Sequence, residues 1–276
     1  LVIPTFTNHD LNKKIIEKKI SKNFKIDAKI DGKILYKFFP SPRLEINKVK
    51  LNFNNSKDKV LLDKAYILLS PFNRKDSQNL KFRKLFIHDE IIKIYPHEFK
   101  KYFNYFSVLK ENDIILKDCT IFFLDDQKNK VFFSNVYLRE KFKDNVHQIY
   151  INSEFSNKKI NFKFEDNLKG EKNLDMTIPS INASINIIFE QGIALKESIG
   201  ESQIKLFDSI FTVKFKKKDK LKIYESFFRN KFFNSKIDGE ISFANNFFFD
   251  LKLGINQINL RKLLLYYFSQ DENYGF

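Results

Sequence analysis

The chain has 276 residues, with 49 Lys and Arg against 34 Asp and Glu, and so carries a net charge of +15. Its 33 Phe, absent Trp, single Cys and 7 Gly describe a molecule built on apolar rings without polar handles. They exclude an internal disulfide and a glycine-built phosphate cradle. The charge favours acidic partners, either nucleic acid or an anionic membrane surface, and the sequence holds no run of about 18 apolar residues that would span a bilayer.

Leu1-Val2-Ile3-Pro4 reads as the trailing end of an apolar segment, so the sequence is expected to be an excerpt that starts just after an anchor or signal. From Asp10 to Lys22, Leu11, Ile15, Ile16 and Ile20 recur near the helical period, with Asn8 or Asp10 as N-cap, which predicts a short amphipathic helix. The period then changes. From Phe24 to Phe38 nearly all apolar residues fall on even positions and charged ones on odd positions, the mark of a half-buried strand. Asp31-Gly32 inside it predicts a bulge or tight bend.

Similar segments follow at Leu44–Phe53, Val60–Leu69, Leu80–Ile94, Ile114–Leu124, Val131–Leu138, Ile149–Phe155 and Ile160–Phe164. Beyond these come Leu174–Ile178, Ile181–Phe189, Ile204–Leu206, Ile210–Phe215, Leu221–Phe228, Lys236–Phe243 and Phe247–Ile255. Two further helices are predicted. Pro96–Phe106 starts on Pro and carries Phe99, Phe103 and Phe106 at helical spacing, and Ile258–Phe268 is a run of Leu and Tyr. Short polar turns between strands predict a mainly β fold: a long antiparallel meander with a short N-terminal helix and one or two interrupting helices. So many strands must curl or pack in two layers, giving an open groove or a sandwich. With no Gly- or Ser-rich linker, residues 1–276 read as one elongated domain with a sub-boundary near 96–110.

The residues that could carry chemistry are scattered. His9, His88, His97 and His147 form no ligand-spaced pair, and the lone Cys119 builds no thiolate site, so no metal and no cofactor are expected. His88-Asp89-Glu90 resembles an acid/base cluster, but adjacent strand residues point to opposite faces, which favours a solvated turn. Asp125-Asp126 is a turn signal. No nucleophile elbow, P-loop or dinucleotide fingerprint is present. These absences predict a protein that is not an enzyme, with no catalytic residues. The basic run Lys214-Phe215-Lys216-Lys217-Lys218-Asp219-Lys220 reads as a hairpin tip. Because Phe and Lys alternate, rings and charges lie on opposite faces, which suits an apolar interior better than a base-stacking platform; no nucleic acid is expected.

The N-terminal region adds a resemblance. Ile3-Pro4, the short helix, the strand Phe24-Lys-Ile-Asp-Ala-Lys-Ile-Asp-Gly32-Lys-Ile34 and then Phe39-Pro40-Ser41-Pro42-Arg43-Leu44-Glu45-Ile46 resemble the start of AsmA-family bacterial envelope proteins. Asn112–Asp125 with Val131–Leu138 is similar to the family's paired-strand unit. Asp238-Gly239-Glu-Ile-Ser-Phe, Phe249–Leu253 and Ile258–Leu264 are similar to a strand pair that leads into a helix. Asn23-Phe24 stands where the family often has Thr-Gly. The resemblance implies a periplasmic protein, anchored in the inner membrane by a segment preceding this chain and active in outer-membrane biogenesis. It further implies phospholipid as partner, with acyl chains held or conducted along an apolar β-groove.

On that reading the groove floor is Ile26, Ile30, Ile34, Phe162, Phe164, Phe247, Phe249 and Leu251, which stand at alternating positions. A structural scaffold that meets outer-membrane assembly proteins without lipid transfer is the alternative. The oligomeric state stays open.

Overall fold

A computed structural model describes residues 13–53, 59–70, 80–95, 113–124, 130–167, 170–191, 197–242 and 248–271. They form two compact units, Leu1–Ile160 and Asn161–Phe276. The fold is mainly β, with open rather than closed sheets, a short N-terminal helix and one other described helix. The segments 96–110 and Asp125-Asp126, where a sub-boundary, a helix and a turn are expected, lie outside the described residues.

In the first unit, α1 (Lys13–Phe24) precedes β1 (Ile26–Ile30), β2 (Ile34–Lys37), β3 (Arg43–Phe53) and β4 (Val60–Leu69). β5 (Phe82–His88), β6 (Ile91–Ile94), β7 (Asp113–Leu124), β8 (Lys130–Lys143) and β9 (Val146–Phe155) follow. β1 and β2 lie end to end along β3, with Ile30 opposite Val49 and Ile34 opposite Ile46. Three residues, 31 to 33, therefore face two, 47 and 48, so Asp31-Gly32 sits in a bulge. Only glycine fits at position 32, because a Cβ there would run into the carbonyl oxygen of Asn47. Both halves of the interrupted strand keep their apolar side chains on one face.

The antiparallel meander is broken at one place. β5 and β6 both pair parallel with β7, Leu85 opposite Ile114 and Ile92 opposite Ile121. Parallel neighbours need a crossover of a dozen or more residues, and the segment between β6 and β7 supplies that length. Strand alternation is the same for either direction, so the parallel pairing left no mark on the sequence.

The helix covers this unit. Ile16, Ile20 and Phe24, spaced one turn apart, are fully buried against β1 and β5, and the Phe24 ring stacks on Phe82 at 6.4 Å. The helix ends at Lys25, which takes a left-handed conformation (φ 55°) and donates its N–H to Ser21 O. Beneath the helix, one continuous core runs from Ile26 and Leu44 through Ile67 and Leu85 to Cys119 and Leu138. Each such buried side chain contributes about 1.5–3 kcal/mol.

The His88-Asp89-Glu90 turn is more than a solvated connection. Asp89 is left-handed (φ 56°), His88 Nε2 lies 3.3 Å from Asp118 Oδ2, and the Glu90 carboxylate is buried. It accepts the backbone N–H groups of Asp63 (3.1 Å) and Lys64 (2.6 Å), at the point of β4 that faces the left-handed Lys48 of β3 (φ 49°). Glu90 thus serves the backbone.

The second unit is β10 (Lys158–Asn167, which begins at the boundary), β11 (Glu171–Ile178), a 3-10 turn at Pro179–Ile181, and β12 (Ala183–Gln191). β13 (Ser198–Leu206), β14 (Ser209–Lys217), β15 (Leu221–Arg229), β16 (Phe233–Ser242), β17 (Phe248–Ile258) and α2 (Leu260–Asp271) follow. From β10 to β17 each strand pairs antiparallel with the next. The substantial packing inside this unit is between ladder neighbours, apart from the 3-10 turn against β12. Among the described residues, no helix of the unit lies across the sheet as α1 does in the first. α2 starts at Asn259, whose side chain caps Lys262 N–H (3.0 Å), and meets the β15–β16 turn through a Tyr266–Phe232 ring contact. Among the described residues, neither helix is long and apolar enough to cross a membrane.

Candidate functional site

Strand register assigns the side chains of β10–β17 to two faces. One face is polar: Lys163, Asp175, Asn186, Glu201, Lys214 and Lys236 stand on it, and Asn186 Nδ2 bonds Asp175 Oδ1 and Asn173 Oδ1 at 2.5 and 3.2 Å. A hollow of about 620 Å³ opens there beside Gln203 and Tyr224. It is wide and shallow, and its cation, Lys214, is already paired with Glu225 at 3.0 Å.

The other face is mainly apolar, with an Asp166–Lys172 ion pair (2.9 Å) at the β10–β11 start of one flanking row. Following the register gives three parallel rows that run across the strands. A middle row reads Phe164, Leu174, Ile187, Ser202, Val213, Ser226, Ile237 and Leu253. On one side of it lie Phe189, Gly200, Phe215, Ile223, Gly239 and Leu251; on the other lie Met176, Ile185, Ile204, Phe211, Phe228, Ser235 and Ile255. Beyond Phe164 the middle row has no aromatic residue, while rings bank it on both sides. The Phe215 ring lies across Gly200, where a Cβ would meet it at 2.7 Å, and Phe211 packs against Phe228 with the ring centres 4.4 Å apart and the planes tilted by 37°. The result is a trough with Ser202 and Ser226 sunk in its floor, both buried. Eight strands spaced about 4.8 Å apart make such a trough roughly 34 Å long.

Bulges keep the trough on one face. Between β15 and β16, residues 224 and 225 face a single residue, Asp238, with Glu225 left-handed (φ 45°) and its N–H held by Asp238 Oδ1 at 3.1 Å. Without that extra residue Ile223 and Ser226 would point to opposite sides. Gly239, next to Asp238, is again a glycine because a Cβ would strike the carbonyl oxygen of Asp250 on β17.

The structure separates the eight residues expected to line a groove. Phe162 faces Met176 and Phe164 faces Leu174 at the β10 end of the apolar face, and Phe249 and Leu251 stand on the same face at its β17 end. Ile26 and Ile30 lie in the first unit, closed over by α1, and Ile34 is half-buried opposite Ile46. Phe247 lies outside the described residues. The basic run begins inside β14, where Lys214 and Phe215 are half-buried on opposite faces, and only 216–220 form the exposed β14–β15 tip, where Glu197 pairs with Lys216 (2.9 Å) and Lys218 (3.6 Å), and Lys220 pairs with Glu240 (3.1 Å).

One polar pair escaped the sequence reading. Glu140 on β8 and His147 on β9 are 0% and 4% exposed, and Glu140 Oε1 lies 2.5 Å from His147 Nε2. Burial pushes the Glu140 carboxyl up, with the hydrogen bond and charge of His147 acting against that shift. Glu140 Oε2 has no hydrogen-bond partner. The pair joins two neighbouring strands inside an apolar interior and faces no cleft. Among the described residues no three His, Cys, Asp or Glu gather in a group able to hold a metal ion.

No protein-family model matches the chain, and neither a curated protein nor a solved structure matches it.

Proposed function

We propose that this chain is a non-enzymatic, AsmA-like envelope protein that holds or conducts phospholipid acyl chains along the trough of β10–β17. The observation that carries the reading is the trough itself: an apolar row running across eight strands, banked by Phe rings, with no described element of its own unit packed over it. An acyl chain spans about half of a hydrocarbon core roughly 30 Å thick, so a trough of about 34 Å takes it lengthwise. Each methylene moved from water onto such a surface contributes about 0.8 kcal/mol. That gain is non-directional, which suits a ligand that slides.

The N-terminal resemblance supplies the rest of the reading: an inner-membrane anchor preceding this chain, a periplasmic site of action and a part in outer-membrane biogenesis. The polar, Lys-rich opposite face stays in water.

The test is lipid carried through purification. Mass spectrometry of the purified chain is expected to find phospholipid, and a Val213→Glu, Leu253→Glu variant is expected to lose most of it while keeping its circular dichroism spectrum. A stable chain without lipid overturns the proposal and favours the scaffold alternative.

A further inference from the structure

The outer strands of the two units are finished differently. In the first unit, β1 and β2 are short, separated by a bulge, and followed by Pro40 and Pro42. These are the devices by which proteins stop an edge from pairing. In the second, β17 spans 11 residues with no Pro, and apart from a bulge at Asn256 near its end it pairs in unbroken register from Phe248 to Ile255. Every residue of it is exposed. Ile237 on β16 is 7% exposed, whereas Leu253 opposite it is 64% exposed and Ile255 is 57%. α2 does not repair this, because it turns back toward the β15–β16 turn through Tyr266 and Phe232. Among the described residues β17 pairs with β16 alone.

The charges on β17 point to what completes it. Asp250 stands opposite another acid, Glu240, and Glu240 takes its cation from Lys220. Lys252 stands opposite Asp238, whose Oδ1 is occupied by the Glu225 N–H. Neither Asp250 nor Lys252 has an ion-pair partner among the described residues. Like charges directly opposite each other on a sheet are unfavourable; here Asp250 has one such neighbour and no compensating cation among the described residues.

We infer that the free edge of β17 is a self-pairing interface, at which two copies of this chain join antiparallel about a two-fold axis through Leu251. In that register Asp250 of each copy faces Lys252 of the other, Phe249 faces Leu253, and Leu251 faces Leu251. An isologous contact of this kind uses one patch twice, and it gives Asp250 and Lys252 the ion-pair partners that the described residues do not supply. A shift of the axis to Lys252 sets Lys252 against Lys252, so the charges select the register. Directly opposite residues share a face, so the apolar rows of one copy continue into those of the other. The inference rests on the edge and its charges, and holds whether or not the trough carries lipid.

Sedimentation equilibrium of the full chain, after delipidation, tests it. A dimer is expected, with Asp250→Lys and Lys252→Asp each weakening it at least tenfold, since each sets like charges against each other twice. The double exchange Asp250→Lys, Lys252→Asp is expected to restore it. Leu251→Cys is expected to form an intermolecular disulfide on oxidation, because the only native thiol, Cys119, is buried. A monomer at all concentrations overturns the inference. So does a dimer indifferent to the single reversals, or one that the double exchange fails to restore.

Discussion

The two units of this chain are written in the same alternating pattern and put it to opposite uses. In the first, Ile16, Ile20 and Phe24 of a helix lie on the apolar side of the sheet, and 25 hydrophobic residues form one buried cluster. In the second, the same alternation runs through eight consecutive strands with no described α-helix before Leu260, and among the described residues only Phe164, Ile223 and Ile237 are buried large apolar side chains. Hydrophobicity does not distinguish them; the supply of covering elements does. Alternation says which side of a strand is apolar, whereas an amphipathic helix nearby says whether that side will be closed.

This contrast can be broken at named residues. The largest effect is expected where the helix closes the first unit. Phe24→Ala removes a ring that is wholly buried against Phe82, and a loss of about 3–5 kcal/mol is expected in urea denaturation followed by tyrosine fluorescence. A loss below about 1 kcal/mol, the scale of a surface change, would show that the helix does not seal a core.

A smaller, pH-dependent effect is expected from Glu140. Its carboxyl is raised by burial in the folded chain, so the folded state keeps a proton that the unfolded chain has already lost. Stability from this group is therefore complete below the usual carboxylate range and falls as pH rises through that range toward the raised value. Glu140→Gln cannot lose a proton, so its thermal midpoint is expected to fall less than the parent's over that interval. Parallel pH profiles for the two proteins would remove the group from the account. The smallest effect belongs to the second unit. Leu253→Ala, at a side chain 64% exposed, is expected to change stability by less than about 0.5 kcal/mol in the same urea experiment. A loss comparable to Phe24→Ala would mean that this face is covered after all.

Much of the fold was legible in the sequence. Val60–Leu69 is a strand with those bounds, and Asp31-Gly32 is a bulge. The apolar face of the second unit was legible too, since Phe162, Phe164, Phe249 and Leu251 all stand on it. Three features were not. The trough depends on register across eight strands, and register is set by turns and bulges such as Glu225, which look like ordinary residues in a sequence. The closure over Ile26 and Ile30 depends on where a helix docks, which periodicity does not say. Glu140 and His147 lie seven residues apart and become neighbours only because the β8–β9 turn at Asp144-Asn145 folds them together. A signal was present: Val136, Leu138 and Glu140 share inward parity, as do His147 and Ile149, so each polar residue interrupts an apolar series.

The central claim is that the trough of β10–β17 carries acyl chains while the first unit is closed. It is tested most directly with a phospholipid bearing a photoreactive diazirine in its acyl chain, cross-linked to the full chain and mapped by peptide mass spectrometry. The account predicts labelling on Ile187, Val213, Phe215, Phe228 and Leu253, and none on Ile26, Ile30 or Leu44. Labelling confined to the first unit, or to the Lys-bearing face of the second, would contradict it.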